Sequence, residues 1–196
     1  RGVASDLTPG SVTRVVCHCS DCQLFSHYLD QADLILDAHG GTEICQVSPR
    51  AIRFDAGTDR LACVRLTEKG PYRWYATCCR SPVGNSLPGL GVVGLIHPTV
   101  EASESRLGPI RARIFGRDAV GDAGSLDASD RIPPRLLLRV LRKLLLRRLR
   151  GDHRHSPFHD PRTGRAIARP DDLSPSTRQA LDRQRAAWTP DGRRFN

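Results

Sequence analysis

Three cysteines stand within six residues of one another, in Cys17-His18-Cys19-Ser20-Asp21-Cys22, and this spacing constrains the chain more than any other feature. Sulfurs at i, i+2 and i+5 can face one centre only across a tight turn, so the backbone must bend at 17–22. The preceding residues, Val12 to Val16 after the turn at Pro9-Gly10, are β-formers and predict a strand running into that turn. Three thiolates converging on one point match the ligand chemistry of zinc, which takes about four tetrahedral ligands with Zn–S near ~2.3 Å. Three sulfurs leave one position for water, substrate or a fourth protein group. An open position marks a catalytic zinc, and a position closed by a fourth cysteine marks a structural one.

The chain has seven cysteines, all between positions 17 and 79. An odd, clustered set argues for metal or redox chemistry in a reducing compartment over a disulfide framework. No signal peptide is visible, and the expectation is a cytoplasmic protein. The longest uncharged stretch, Ser81 to Val100, holds three prolines and four glycines, which suits turns and a short strand and excludes a membrane-spanning helix.

Beyond the cysteine turn, residues 23–29 suit a short helix or turn. Strand-like runs follow at Ile44–Val47, Ile52–Phe54, Leu61–Leu66, Tyr72–Ala76, Val92–His97 and Ile110–Phe115, each bounded by turn residues. Short strands at close spacing predict a mainly β, antiparallel domain over 1–117. Residues 118–130, rich in Gly, Ser, Asp and Ala, read as a linker. Pro133-Pro134 opens a helix over 131–150 that Gly151 stops. A polar tail follows over 151–196, irregular to about 173, with a short helix near 175–188 that starts at Ser174-Pro175.

Charge is concentrated in the second half. The net charge is +9, and residues 131–150 alone carry eight basic side chains and no acidic one. On this helix Leu137, Leu138, Val140, Leu141, Leu144, Leu145 and Leu149 share one broad face, and Arg135, Arg139, Arg142, Lys143, Arg147 and Arg150 share the other. The expectation is that the leucines pack on the β domain and the arginines face water. The alternative is that the helix lies on an anionic membrane surface or nucleic acid. No aromatic residue interleaves the arginines, which argues against nucleic acid.

Cys78 and Cys79 are candidates for completing a metal site, although vicinal side chains diverge. Cys45 and Cys63 read as small core residues. His27, five residues past Cys22, is the one candidate for a catalytic proton carrier. His153, His155 and His159 read as part of a solvated loop. Gly89-Leu90-Gly91-Val92-Val93-Gly94 fits G-x-G-x-x-G, but β-formers and Pro98 follow it, so no helix N-terminus is available for a dinucleotide.

The cysteine turn, the strand before it, the Gly57-x-x-x-Leu61 turn and Arg73-Trp74-Tyr75-Ala76-Thr77-Cys78-Cys79 together resemble the glutathione-dependent formaldehyde-activating enzyme family, which includes centromere protein V. The resemblance covers roughly residues 1–100, and the basic C-terminal extension looks like that of a bacterial branch. It implies a β-tent fold with two Zn²⁺ sites. Cys17, Cys19 and Cys22 would form the catalytic one. Cys79, with Cys78 as its neighbour, would contribute to a structural one. It also implies carbon–sulfur lyase chemistry, the reversible joining of an aldehyde to a glutathione-like small-molecule thiol. The chain departs from the family pattern in lacking an N-terminal C-x-C pair, in having Ala76 where a cysteine belongs, and in placing Gln23 and His27 where the family has Arg and Gly. The leading expectation is thus a zinc-dependent enzyme of that type, and the alternative a non-catalytic zinc module whose basic helix binds an anionic surface.

Overall fold

The computed structural model describes residues 1–121, 124 and 126–190. Positions 122, 123 and 125 of the expected linker and 191–196 at the end of the expected tail lie outside the described residues.

The chain builds a mainly β structure. Among the described residues, ten strands form in chain order: β1 (Gly2–Ala4), β2 (Thr13–Cys17), β3 (Thr42–Val47), β4 (Ile52–Phe54), β5 (Leu61–Arg65), β6 (Tyr72–Ala76), β7 (Pro82–Ser86), β8 (Val93–Ile96), β9 (Ile110–Ile114) and β10 (Pro170–Asp172). The helices are α1 (Ser20–Tyr28), α2 (Ala32–Ile35), α3 (Glu104–Leu107), α4 (Pro134–Leu149) and α5 (Pro175–Ala187). Strands β1 and β4 form a two-stranded sheet; the other eight run in the order β10-β5-β6-β7-β8-β3-β2-β9.

Both faces of the large sheet are covered. Cys45, Val47, Cys63, Trp74, Val93 and Leu95 point to one face, with Phe158 from the C-terminal region packed among them. Val64, Tyr75 and Ile96 point to the other, against Leu24, Phe25 and Leu29 of α1 and Leu181 of α5. Double coverage explains why every residue of β2 and β8 is buried, where a half-exposed strand would alternate. Cys45 and Cys63 are free thiols in this interior, as expected of small apolar side chains.

The strands at Ile44, Ile52, Leu61, Tyr72, Val93 and Ile110 lie where the sequence puts them. Three features differ. Strand β7 carries Pro82, Gly84 and Asn85, poor β-formers, and does not read as a strand. It needs Gly84, because a Cβ there would meet the Gly94 carbonyl oxygen at 2.7 Å. Second, the sheet is not wholly antiparallel: β9 runs parallel to β2, and β10 parallel to β5. Both strands arrive after long excursions, and a long connection frees a strand from the direction a hairpin imposes. Third, residues 151–173 are not irregular throughout. They supply β10, the buried Phe158, and His159, whose Nε2 lies 2.8 Å from the Ser86 hydroxyl in the core. His159 is therefore not part of a solvated loop.

Helix α4 forms between its expected signals, with Pro134 in its first turn and Gly151 left-handed just past its end. Its orientation is the reverse of the expectation. Leu136 is the buried leucine, packed with Val15, Cys17 and Ile114. The cationic stripe turns inward. Arg139 donates to the Pro9 and Val12 carbonyls, and Lys143 to those of Ser11 and Val12. Arg147, 7% exposed, donates to the carbonyls of Val47, Gly91 and Ser11. Five leucines of the opposite face are 45–76% exposed: Leu137, Leu138, Leu141, Leu145 and Leu149. The stripe supplies donors to backbone oxygens of the 9–13 segment and to the buried carbonyls of Val47 and Gly91, and leaving such buried carbonyls unpaired would cost more than exposing the leucine row.

Among the described residues no helix is long and apolar enough to cross a membrane.

The docking mode predicts an inverted mutational pattern. Arg147→Ala should lower stability to urea by about 2–3 kcal/mol, because the buried carbonyls of Val47 and Gly91 lose this donor. Leu145→Gln should change it by less than about 0.5 kcal/mol. The opposite order would mean that the leucines, not the cations, hold α4 in place.

Candidate metal centre

The three cysteines of the turn come from three different backbone settings. Cys17 is the last residue of β2, Cys19 is the N-cap of α1, and Cys22 lies in its first turn. The N-cap and the residue three positions on lie on one side of a helix start, and the strand end faces them, so the spacing converges as the sequence predicts. The Cys19 carbonyl accepts from the Cys22 N–H at 3.0 Å and closes the turn. The three sulfurs lie within 4.8 Å of one another, with Cys17 Sγ and Cys19 Sγ 3.3 Å apart, and all three cysteines are free. Tetrahedral thiolates on one zinc-sized ion sit about 3.8 Å apart, so the spread matches a shared ion. A disulfide would need about 2.05 Å.

The turn is held from behind. His18 is fully buried; its backbone N–H donates to the Ile114 carbonyl of β9, and its Nδ1 lies 3.3 Å from the same oxygen. Gln23 Nε2 donates to the His18 carbonyl at 2.6 Å and to the Asp118 carbonyl at 2.8 Å. The Asp118 carboxylate accepts from the Ser20 N–H at the start of α1. Gln23, which departs from the resembled family, is thus the clamp that fixes the turn.

Arg73 of β6 completes the surroundings. Strand β6 is four places from β2 in the sheet, but α1 lies across the strands and its first turn brings the two together. The Arg73 side chain is 4% exposed, and Nη1 donates to Cys22 Sγ at 3.7 Å. Its guanidinium lies over the Phe25 ring, and Nε has no partner among the described residues. The nearest carboxylate, Asp21, is 4.0 Å away and also faces Arg178 of α5 at 3.6 Å. A buried guanidinium requires a nearby negative charge. Three thiolates around a divalent cation carry a net charge of −1, and Arg73 brings the sum to zero. That balance, together with the all-sulfur donor set, fits a soft or borderline divalent metal.

The electrostatic surroundings of the sulfurs point the same way. Hydrogen bonding to Cys19 and Cys22, and then burial, pushes the Cys17 thiol far up. At Cys19 the hydrogen bond with Cys17 lowers the pKa, but the one with Cys22 and burial outweigh it, and the thiol is pushed up to about 12. Cys22 is held well below the usual thiol range by the hydrogen bonds from Cys17 and Cys19, with Arg73 adding to the effect. Before an ion binds, Cys17 and Cys19 are therefore held as thiols, and Cys22 is the sulfur that loses its proton most easily.

The other predicted residues stand elsewhere. Cys78 and Cys79 are exposed on the turn between β6 and β7, their sulfurs 3.8 Å apart, with Cys79 also 3.1 Å from the Ser81 hydroxyl. Arg80 on that turn donates to the carbonyls of Tyr28 and Leu29, at the far end of α1 from Cys22. Neither cysteine joins the three-sulfur group. His27 is buried against α5, with its ring edge-on to Trp188 at 6.3 Å and its pKa lowered by burial. It does not reach the sulfurs, so the structure gives it no part in their chemistry. Arg73 was visible in the sequence only as one residue of a family-like element. Its signal was a lone cation inside the aromatic run Tyr72-Arg73-Trp74-Tyr75, on a strand buried on both faces.

Metal uptake by this cluster must release protons. Cys17 and Cys19 are both pushed up and enter as thiols, so at least about two protons should leave per ion bound. Affinity should rise as pH rises, on the order of a hundredfold per pH unit near neutrality. Calorimetric titration with Zn²⁺ in buffers of different ionisation enthalpy measures the number directly. Release of no protons would contradict the assignment.

The family comparison covers nearly the whole chain: residues 2–169 match the model of a family of unknown function, DUF6151. Searches of curated proteins and of solved structures returned no match. The matched region contains the cysteine turn, Arg73 and α4, and the chain belongs to the DUF6151 family.

Proposed function

We propose that Cys17, Cys19 and Cys22 hold a zinc ion, and that the centre acts on a thiol and an aldehyde adduct in carbon–sulfur lyase chemistry. The observation that carries this reading is the ligand count. Among the described residues, no fourth cysteine, histidine or carboxylate joins the three sulfurs at coordination spacing. Three protein ligands with a further position for solvent or substrate is the stoichiometry of a catalytic zinc. When bound, the ion would supply Lewis acidity that favours the thiolate form of a thiol placed beside it.

The chain's own groups support that role. Cys17 and Cys22 are buried, while Cys19 is partly exposed and gives the cluster its solvent side. Arg73 offers a fixed positive charge beside Cys22, which balances the sulfur charge and restrains the basicity of that ligand. Asp21 and Arg178 form a polar rim at the first turn of α1. The reaction class is reversible: a thiol sulfur bonds to the carbonyl carbon, the π pair moves onto oxygen, and that oxygen takes the proton the thiol lost. The resemblance to the glutathione-dependent formaldehyde-activating family supports both the β-tent reading of the fold and this choice of chemistry.

Cobalt substitution tests the proposal. Co²⁺ in the site should show sulfur-to-metal charge transfer from three thiolates, and adding glutathione should raise that band by about a third as a fourth sulfur enters. A spectrum already at four sulfurs, or one unmoved by any small thiol, would overturn the reading. Arg73→Ala should weaken Zn²⁺ binding by roughly 10–100-fold, as loss of a supporting partner does elsewhere; Cys79→Ser should leave it unchanged.

A further inference from the structure

Among the described residues, nothing covers the exposed leucine face of α4. Leu138, Leu141, Leu145 and Leu149, with Leu137 beside them, span about 120° of a helix about 24 Å long and all face outward. Exposed leucines in a single continuous row mark an interaction surface. The question is what covers them, and the charges around the row answer it.

Arg135 and Arg142 border the row on one side and Arg148 rises within it, all three exposed. The guanidinium groups of Arg135 and Arg142 have no hydrogen-bond or ion-pair partner among the described residues. Next to the row, between α4 and Gly10, runs a groove of about 430 Å³ lined by Arg135, Arg139, Arg142 and Lys143. The cations there crowd one another. Burial pushes the Lys143 ammonium down to about 7, and the neighbouring Arg139, Arg147 and Arg111 push it further in the same direction. An anion in the groove would relieve this repulsion.

A second copy of the chain fits poorly, because residues 131–150 contain no acidic side chain to face the arginines across a symmetric pairing. Nucleic acid would satisfy the arginines but leave the leucines against water. A surface that offers apolar depth and anionic groups at one level satisfies both. We propose that α4 is a peripheral membrane-docking helix, which sinks its leucine row into an anionic phospholipid leaflet and seats a headgroup phosphate in the Arg135–Lys143 groove. Arginines at the border of an apolar face lie at headgroup depth in such a geometry.

Co-sedimentation of the full chain with vesicles tests this. Vesicles of phosphatidylcholine containing phosphatidylglycerol should bind the protein, while phosphatidylcholine alone should bind at least about tenfold more weakly. Leu141→Gln with Leu145→Gln, and separately Arg135→Gln with Arg142→Gln, should each reduce binding on the order of tenfold or more. All four side chains are exposed, so the variants should keep the circular dichroism spectrum and melting temperature of the parent. Added salt should weaken the binding of the parent and have less effect on the arginine variant. Equal binding to neutral vesicles, or binding that survives the leucine substitutions, would overturn the proposal. So would a dimer in solution that those leucine substitutions abolish, since it would assign the face to a second copy.

Discussion

A buried guanidinium facing three sulfurs is the interaction on which the rest depends. Arg73 lies in the interior with a single distant, shared carboxylate. It is stable there only if something else nearby is negative. Cys22 Sγ, the sulfur that loses its proton most easily, lies 3.7 Å from Arg73 Nη1, and the proposed ion would let the other two sulfurs lose their protons as well. Each half makes the other tenable, and the two halves come from opposite parts of the sheet. The fold exists in part to bring them together: β2 delivers Cys17, β6 delivers Arg73, and α1 crosses between them with Cys19 and Cys22 at its start.

The C-terminal region is part of this arrangement. Leu136 of α4 packs on Val15, Cys17 and Cys22, so the helix that presents leucines to the outside also forms one wall of the sulfur cluster. On the other side, α5 lays Leu181 on the α1 core and brings Arg178 to Asp21. Tyr28 and Tyr75 both donate to Asp171 of β10, which ties the end of α1 to the sheet edge. The metal centre, the cationic stripe and the exposed leucines are therefore neighbours in one structure.

Much of this was legible in the sequence because it depends on local rules. The cysteine spacing required a turn, and the turn is there. Branched and aromatic runs at Ile44, Ile52, Tyr72 and Val93 became strands. Paired prolines and Gly151 marked the ends of α4. The features that were not legible depend on distant partners. Strand β7 hides behind Pro82, Gly84 and Asn85 because close approach to β8 matters more there than β-propensity. The inward stripe of Arg139, Lys143 and Arg147 contradicts the simple rule that leucines go in and arginines go out. It does so because the carbonyls to which it donates, at Ser11, Val12, Val47 and Gly91, are visible only once the sheet is assembled. His27 drew notice by its proximity in sequence, but helical rotation carries it to α5, and the residue that does attend the sulfurs is 51 positions from Cys22.

The central claim is that these three sulfurs share one ion and that no other protein atom binds it. X-ray absorption at the zinc edge of the zinc-loaded protein tests it most directly. The expected spectrum is that of one zinc per chain, with three sulfur neighbours near ~2.3 Å and one lighter oxygen or nitrogen neighbour. Four sulfur neighbours, or a chain that retains no zinc while its three thiols remain reduced, would contradict it.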